Sequence, residues 1–175
     1  MTTPADVITI VSVRDADRPA GCLISWHGRD WIAPVAAVRD TALDLITCAA
    51  YADMLIHVTL KLGLDPDTAS RFTGDLLVSQ SGRCSWGHDE TLTLLPVGST
   101  KDKRGLVWIW HGRELQGVVT TQEARQMGLD WLSAAEATES DQLVAEALRT
   151  AGGLDEPRIE GLFAYLHELR SRPAT

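Results

Sequence analysis

A five-residue phrase occurs twice in the 175-residue chain: Trp26-His27-Gly28-Arg29-Asp30 returns as Trp110-His111-Gly112-Arg113-Glu114, 84 positions later. A match at fixed spacing constrains a fold more than any single residue does, because each copy must be one supersecondary unit that buries its apolar face against its twin. The match extends beyond the phrase. At the same offset Ile8-Thr9-Ile10-Val11 meets Leu92-Thr93-Leu94-Leu95, and Gly21-Cys22-Leu23-Ile24 meets Gly105-Leu106-Val107-Trp108. Arg39 and Leu43-Asp44 then meet Arg125 and Leu129-Asp130 at an offset of 86, and Gly63-Leu64-Asp65 meets Gly153-Leu154-Asp155 at 90. The offset grows in one direction, as small loop insertions would make it. The sequence therefore predicts a tandem duplication, with copies over about 7–78 and 91–170 joined by a polar linker, 79–90, inside one compact domain covering 1–175.

Each copy opens with an aliphatic strand, Val7 to Val13 or Leu92 to Val97, and after a polar loop closing on glycine returns as Cys22 to Trp26 or Leu106 to Trp110. His-Gly-Arg then supplies a tight turn, glycine accepting the positive φ that hairpin turns demand, and a third strand starts at Trp31 or Leu115. Helices follow. Thr120 with Glu123 three residues on is a capping box, and Val38 to Leu62 carries so few charges that it reads as a helix buried on several sides. Asp65-Pro66 and Asp155-Glu156-Pro157 each start a further helix, aspartate capping and proline in the first turn. In the last of these Ile159, Leu162, Phe163, Leu166 and Leu169 form one apolar stripe. The fold class is α+β: two meanders, each followed by two helices, related by a pseudo-two-fold axis, with antiparallel strands in one or two sheets and helices over one side.

Composition narrows the function classes. Apolar residues make up 45% and charged ones 23%, an ordinary balance for a soluble globular chain. No cationic leader precedes a short apolar run, and no stretch reads as approaching the ~20 apolar residues of a membrane span, so the expectation is a cytoplasmic protein without membrane contact. Three cysteines, none closely paired, read as free thiols. Thirteen arginines against three lysines, with no asparagine, suggest the codon usage of a GC-rich bacterial genome. The net charge of −8 argues against a generic nucleic-acid binder, which would neutralise phosphates with Lys and Arg. Charge is nonetheless segregated: seven acids crowd residues 136–160, whereas Lys101, Lys103 and Arg104 share one loop whose counterpart is Asp17-Arg18-Pro19-Ala20.

The candidate binding residues are the repeated Trp26, His27 and Arg29 with Trp110, His111 and Arg113, plus the basic tip Lys101, Lys103 and Arg104. An aromatic, an imidazole and a guanidinium at a hairpin end suit stacking on a base or clamping an anion. The plainer reading is that tryptophan anchors each hairpin and glycine turns it. Trp108 and Trp110 share one face by the period of a strand, which reads as core or subunit interface. Cys84 and His88 have a metal-like C-x3-H spacing, but no Cys-x-x-Cys completes a zinc set. His57 reads as a core histidine, and Glu136 and Glu139 as a solvated helical face. No phosphate loop, nucleophile elbow or zinc-protease motif occurs, and no cofactor, metal or catalytic set is assigned. The leading expectation is a non-catalytic binding or regulatory protein acting through a protein partner or as a homo-oligomer. Nucleic-acid association through the 101–104 tip is the alternative, and an enzyme with a site between the repeats the second.

Overall fold

The computed structural model describes residues 8–15, 18–26, 28–65, 67–69, 71, 92–99, 101–111 and 113–171. In chain order the elements are β1 (Thr9–Asp15), β2 (Arg18–Trp26), β3 (Arg29–Pro34), α1 (Val35–Lys61), β4 (Leu92–Ser99), β5 (Arg104–His111), β6 (Glu114–Thr120), α2 (Thr121–Thr150) and α3 (Glu156–Ser171). The strands form two separate antiparallel sheets, β1-β2-β3 and β4-β5-β6, packed against the helices, an α+β architecture. Capping works as the sequence implies. Asp65 Oδ1 accepts the Thr68 amide at 2.9 Å ahead of a helical turn at 67–69, and Asp155 Oδ1 accepts the Arg158 amide at the start of α3. The linker 79–90 lies outside the described residues.

What organises the molecule is the absence of a loop after each meander. β3 ends at Pro34 and α1 begins at Val35; β6 ends at Thr120 and α2 begins at Thr121. A helix leaving a strand with no intervening residues cannot double back over the strands it came from. α1 accordingly packs mainly on β4 and β5, and α2 on β1 and β2, so each half roofs the sheet of the other. Between the sheets the two helices pack on each other, with one buried cluster that draws Cys22, Ile24 and Trp26 together with Leu45, Val107, Ile109 and Trp131.

Two glycines set the spacing. A Cβ on Gly128 of α2 would lie 2.7 Å from both the Ala42 carbonyl oxygen and Ile46 Cγ1, and one on Gly105 of β5 would lie 2.7 Å from the Ala52 carbonyl carbon. Ala42, Ile46 and Ala52 belong to α1, which therefore lies backbone-close to both partners. At its rim α1 is tied to α2 by Arg39, whose guanidinium donates to Glu136 at 2.8 Å and Glu139 at 2.6 Å, and by Asp53, which accepts from Arg125. The start of α1 thus meets the middle of α2 and the middle of α1 meets the start of α2, an antiparallel crossing. The Arg39–Glu139 pair becomes the Arg125–Asp53 pair when each member is exchanged for the residue 86 positions away, 39 for 125 and 139 for 53.

The two long helices begin differently. Thr120 closes the capping box: its hydroxyl accepts the Glu123 amide at 3.2 Å while the Glu123 carboxylate accepts the Thr120 amide at 2.7 Å. That backbone donation, reinforced by the Thr120 hydroxyl, holds the Glu123 carboxyl below its ordinary value. α1 starts on Pro34 with no side-chain cap.

Two expectations are corrected. His57 is exposed, because α1 turns one side to the sheet and α2 and leaves an outward stripe of Leu43, Thr47, Ala50, His57 and Lys61. One helix does have the length and apolar composition of a membrane span: it is α1, here packed against β4, β5 and α2. Cys22 and Cys48 are buried free thiols, Cys22 Sγ lying 3.3 Å from Thr138 Oγ1.

Candidate interaction surface on the second sheet

The repeated phrase does not fold the same way twice. In the first meander the last pair of the hairpin is Trp26 with Arg29, and Gly28 adopts a φ of 72°. In the second, the last pair of the hairpin is His111 with Glu114. Relative to the phrase, the turn has slipped by one residue. Since strand side chains alternate, a one-residue slip sends each side chain to the opposite face. Trp26 points inward and is 6% exposed, and a Cβ on Gly117 would lie 3.4 Å from its Cζ2. Trp110 points outward, and its inward place is taken by His111, whose ring stacks on Trp31 of the first meander at 6.5 Å.

The strand β5 shows the consequence. Val107 and Ile109 are fully buried under α1, while Leu106, Trp108 and Trp110 alternate onto the other side and stay partly exposed. Residues directly opposite in an antiparallel pair share a face. The register therefore places Val97 and Thr120 beside Leu106, Leu95 and Val118 beside Trp108, and Thr93 and Leu115 beside Trp110. Seven of these nine positions are apolar, Leu95, Leu115 and Val118 are each more than 40% exposed, and Trp108 and Trp110 lie tilted with ring centroids 6.2 Å apart. A register shift follows Ile109: Ile109 pairs with Gly117 and Trp110 with Leu115, a bulge at Gln116 that lets Leu115 join the outer face while Gly117 stays on the inner one.

At one end of this face stands the β4–β5 turn. Lys101, Lys103 and Arg104 are exposed, Lys103 with a φ of 53°, and the turn is braced by the Ser99 hydroxyl donating to Asp102 at 2.8 Å. Arg104 pairs with Ser99 and by alternation extends the line Leu106, Trp108, Trp110. Its charge helps lower the Glu123 carboxyl. Among the described residues Lys101 and Lys103 make no ion pair, whereas Arg39, Arg125, Arg149 and Arg158 all meet carboxylates.

Of the residues singled out in the sequence, the structure thus brings Trp110 and the 101–104 tip onto one surface and separates Trp26 from it. His111 lies inside against Trp31, Arg113 is exposed at the far turn, and His27 and the side chain of Arg29 lie outside the described residues. Cys84 and His88 lie outside them too. Among the described residues no three His, Cys, Asp or Glu side chains gather as metal ligands would. Glu136 and Glu139 share Arg39. The outward apolar row of β4 and β6 was missed by the sequence reading; its signal was the unbroken run Leu106-Val107-Trp108-Ile109-Trp110, which marks a strand apolar on both faces.

Compared with known protein families, curated proteins and solved structures, the chain shows no significant match.

Proposed function

We propose that this is a non-catalytic, cytoplasmic binding protein that holds another protein through the outer face of its second sheet. The observation that carries the reading is the aromatic and aliphatic surface built by Leu95, Leu106, Trp108, Trp110, Leu115 and Val118. Contiguous exposed apolar surface of this kind, with tryptophan at its centre, is what protein interfaces concentrate. The basic tip supports an anionic partner; the net charge of −8 weighs against nucleic acid as that partner.

The scaffold is read as a tandem duplication of a three-stranded meander followed by two helices, with pseudo-two-fold symmetry. Support comes from the repeated element order, from the reciprocal roofing, and from the Arg39–Glu139 and Arg125–Asp53 pairs. A two-fold interface repeats each contact with the partners' roles exchanged, and both pairs step by the same 86 residues.

A photo-crosslinking amino acid at Val118 tests the binding reading in cells of the source organism, with the same group at Leu43 on the outward stripe of α1 as control. The expected result is a discrete, nuclease-resistant protein adduct from position 118 alone. Equal adducts from both positions, or none from 118, would sink it.

A further inference from the structure

The partner's chemistry follows from how the second sheet is already used on its inner side. β5 is apolar on both faces, and the inner face is filled by a helix, α1, which crosses it at Gly105 and Gly98. The inner face thus shows what seats across β4 and β5, a helix, and the outer face offers apolar residues on the same strands for a second one. Among the described residues nothing supplies the second helix, since α2 and α3 pack elsewhere. Charge then gives that second helix a polarity. Lys101 and Lys103, with Arg104, outnumber Asp102 at one end of the face, whereas at the other end Arg113 adjoins Glu114. On a chain of net charge −8 the tip is a local exception, able to steer and orient an anion.

Resting on the binding reading above, we propose that the occupant is an amphipathic helix of a partner protein, its apolar stripe on Leu95, Trp108, Trp110 and Val118 and its carboxylates toward Lys101 and Lys103. The tryptophans supply the apolar seat. The lysines set direction and select against basic helices, because like charges at that end would be left facing each other.

The test uses the full-length protein and two stapled helical peptides of about 18 residues, each with a leucine stripe, one ending in three glutamates and the other in three lysines. Tryptophan fluorescence reports binding, and sedimentation reports the protein's own association state. The acidic peptide should saturate and bind about tenfold more tightly than the basic one, the effect of two or three exposed pairs of modest strength. In K101E/K103E, at surface positions where the fold should survive with an unchanged melting curve, that preference should vanish or reverse. V118R should abolish binding of both peptides. Equal affinity for the two peptides, or a preference unchanged in K101E/K103E, overturns the proposal, as does a dimer of this chain that occludes the face or an oligonucleotide that displaces the acidic peptide. Crosslinks from position 118 without a charge preference overturn this inference alone; loss of both crosslinks and peptide binding overturns the binding reading as well.

Discussion

The outer faces of the two sheets differ more than their sequences do. On the first, Val11, Leu23 and Ile32 form one aliphatic row, bordered by Thr9, Ser25 and Asp30 on one side and Val13, Gly21 and Pro34 on the other. On the second, Trp108 and Trp110 sit in the middle of an apolar field. Both β2 and β5 bury alternate residues, Cys22, Ile24 and Trp26 in one, Val107 and Ile109 in the other. They diverge in what occupies the alternate outward positions. The first sheet carries a single aliphatic row without an aromatic on its outer face, whereas the second carries two tryptophans ringed by aliphatic residues. A one-residue displacement of a turn thus separates a structural tryptophan from a surface one, and the lesson is that repeated residues need not hold repeated roles.

The comparison breaks most visibly at the tryptophans. Trp26→Ala should cost about 3–5 kcal/mol, as for a buried aromatic, whereas Trp110→Ala should cost less, about 1–2 kcal/mol, because its indole is only partly buried. Urea unfolding of both variants checks this; equal losses would mean that the two indoles occupy equivalent positions after all. Helix contact comes next. Gly128→Ala should cost about 1–3 kcal/mol through overpacking against Ala42 and Ile46, while Ala42→Gly should cost only about 1 kcal/mol of helix propensity. A Gly128→Ala protein as stable as the parent would show that the crossing can relax.

The helix starts give a smaller effect. Thr120→Ala should lose about 1 kcal/mol with the cap, and the start of α1 has no corresponding bond to lose. Glu123 also couples α2 to pH. Its folded value is lowered, so the stability it contributes is full above its unfolded value, near 4.5, and is lost as pH falls through the lower folded value. Glu123→Gln keeps a capping side chain but removes the titration, and should flatten stability against pH below 4.5 in a melting series. An unchanged slope would place the acid sensitivity elsewhere. Smallest are the rim pairs. Arg39→Met and Arg125→Met should each cost about 0–1 kcal/mol, and less in high salt, since both guanidinium groups are partly exposed. Losses of similar size would fit the two-fold reading, and strongly unequal ones would count against it.

Element types and order were legible because they rest on local signals: alternating strands, Thr120 with Glu123, aspartate before each short helix. The division into two sheets was left open, since strand pattern does not say which edges meet. The turn displacement was invisible for a sharper reason. Both phrases contain His-Gly-Arg, and glycine tolerates either turn position, so the choice falls to packing: Trp26 joins the buried cluster, whereas His111 stacks on Trp31. His57 was misplaced because an apolar helix hides its outward stripe when that stripe is itself made of leucine, threonine and alanine.

The missing loops after Pro34 and Thr120 also carry a consequence for synthesis. Because the roof of the first sheet comes from α2, Cys22 meets Thr138 across 116 residues of chain. At roughly 5–20 residues per second, the inner side of β1–β3 emerges from the ribosome about 6–23 s before the residues that will cover it. During that interval Ile24 and Trp26 are open to chaperones and to neighbouring nascent chains, and the protein's yield in a cell depends on how that wait is guarded.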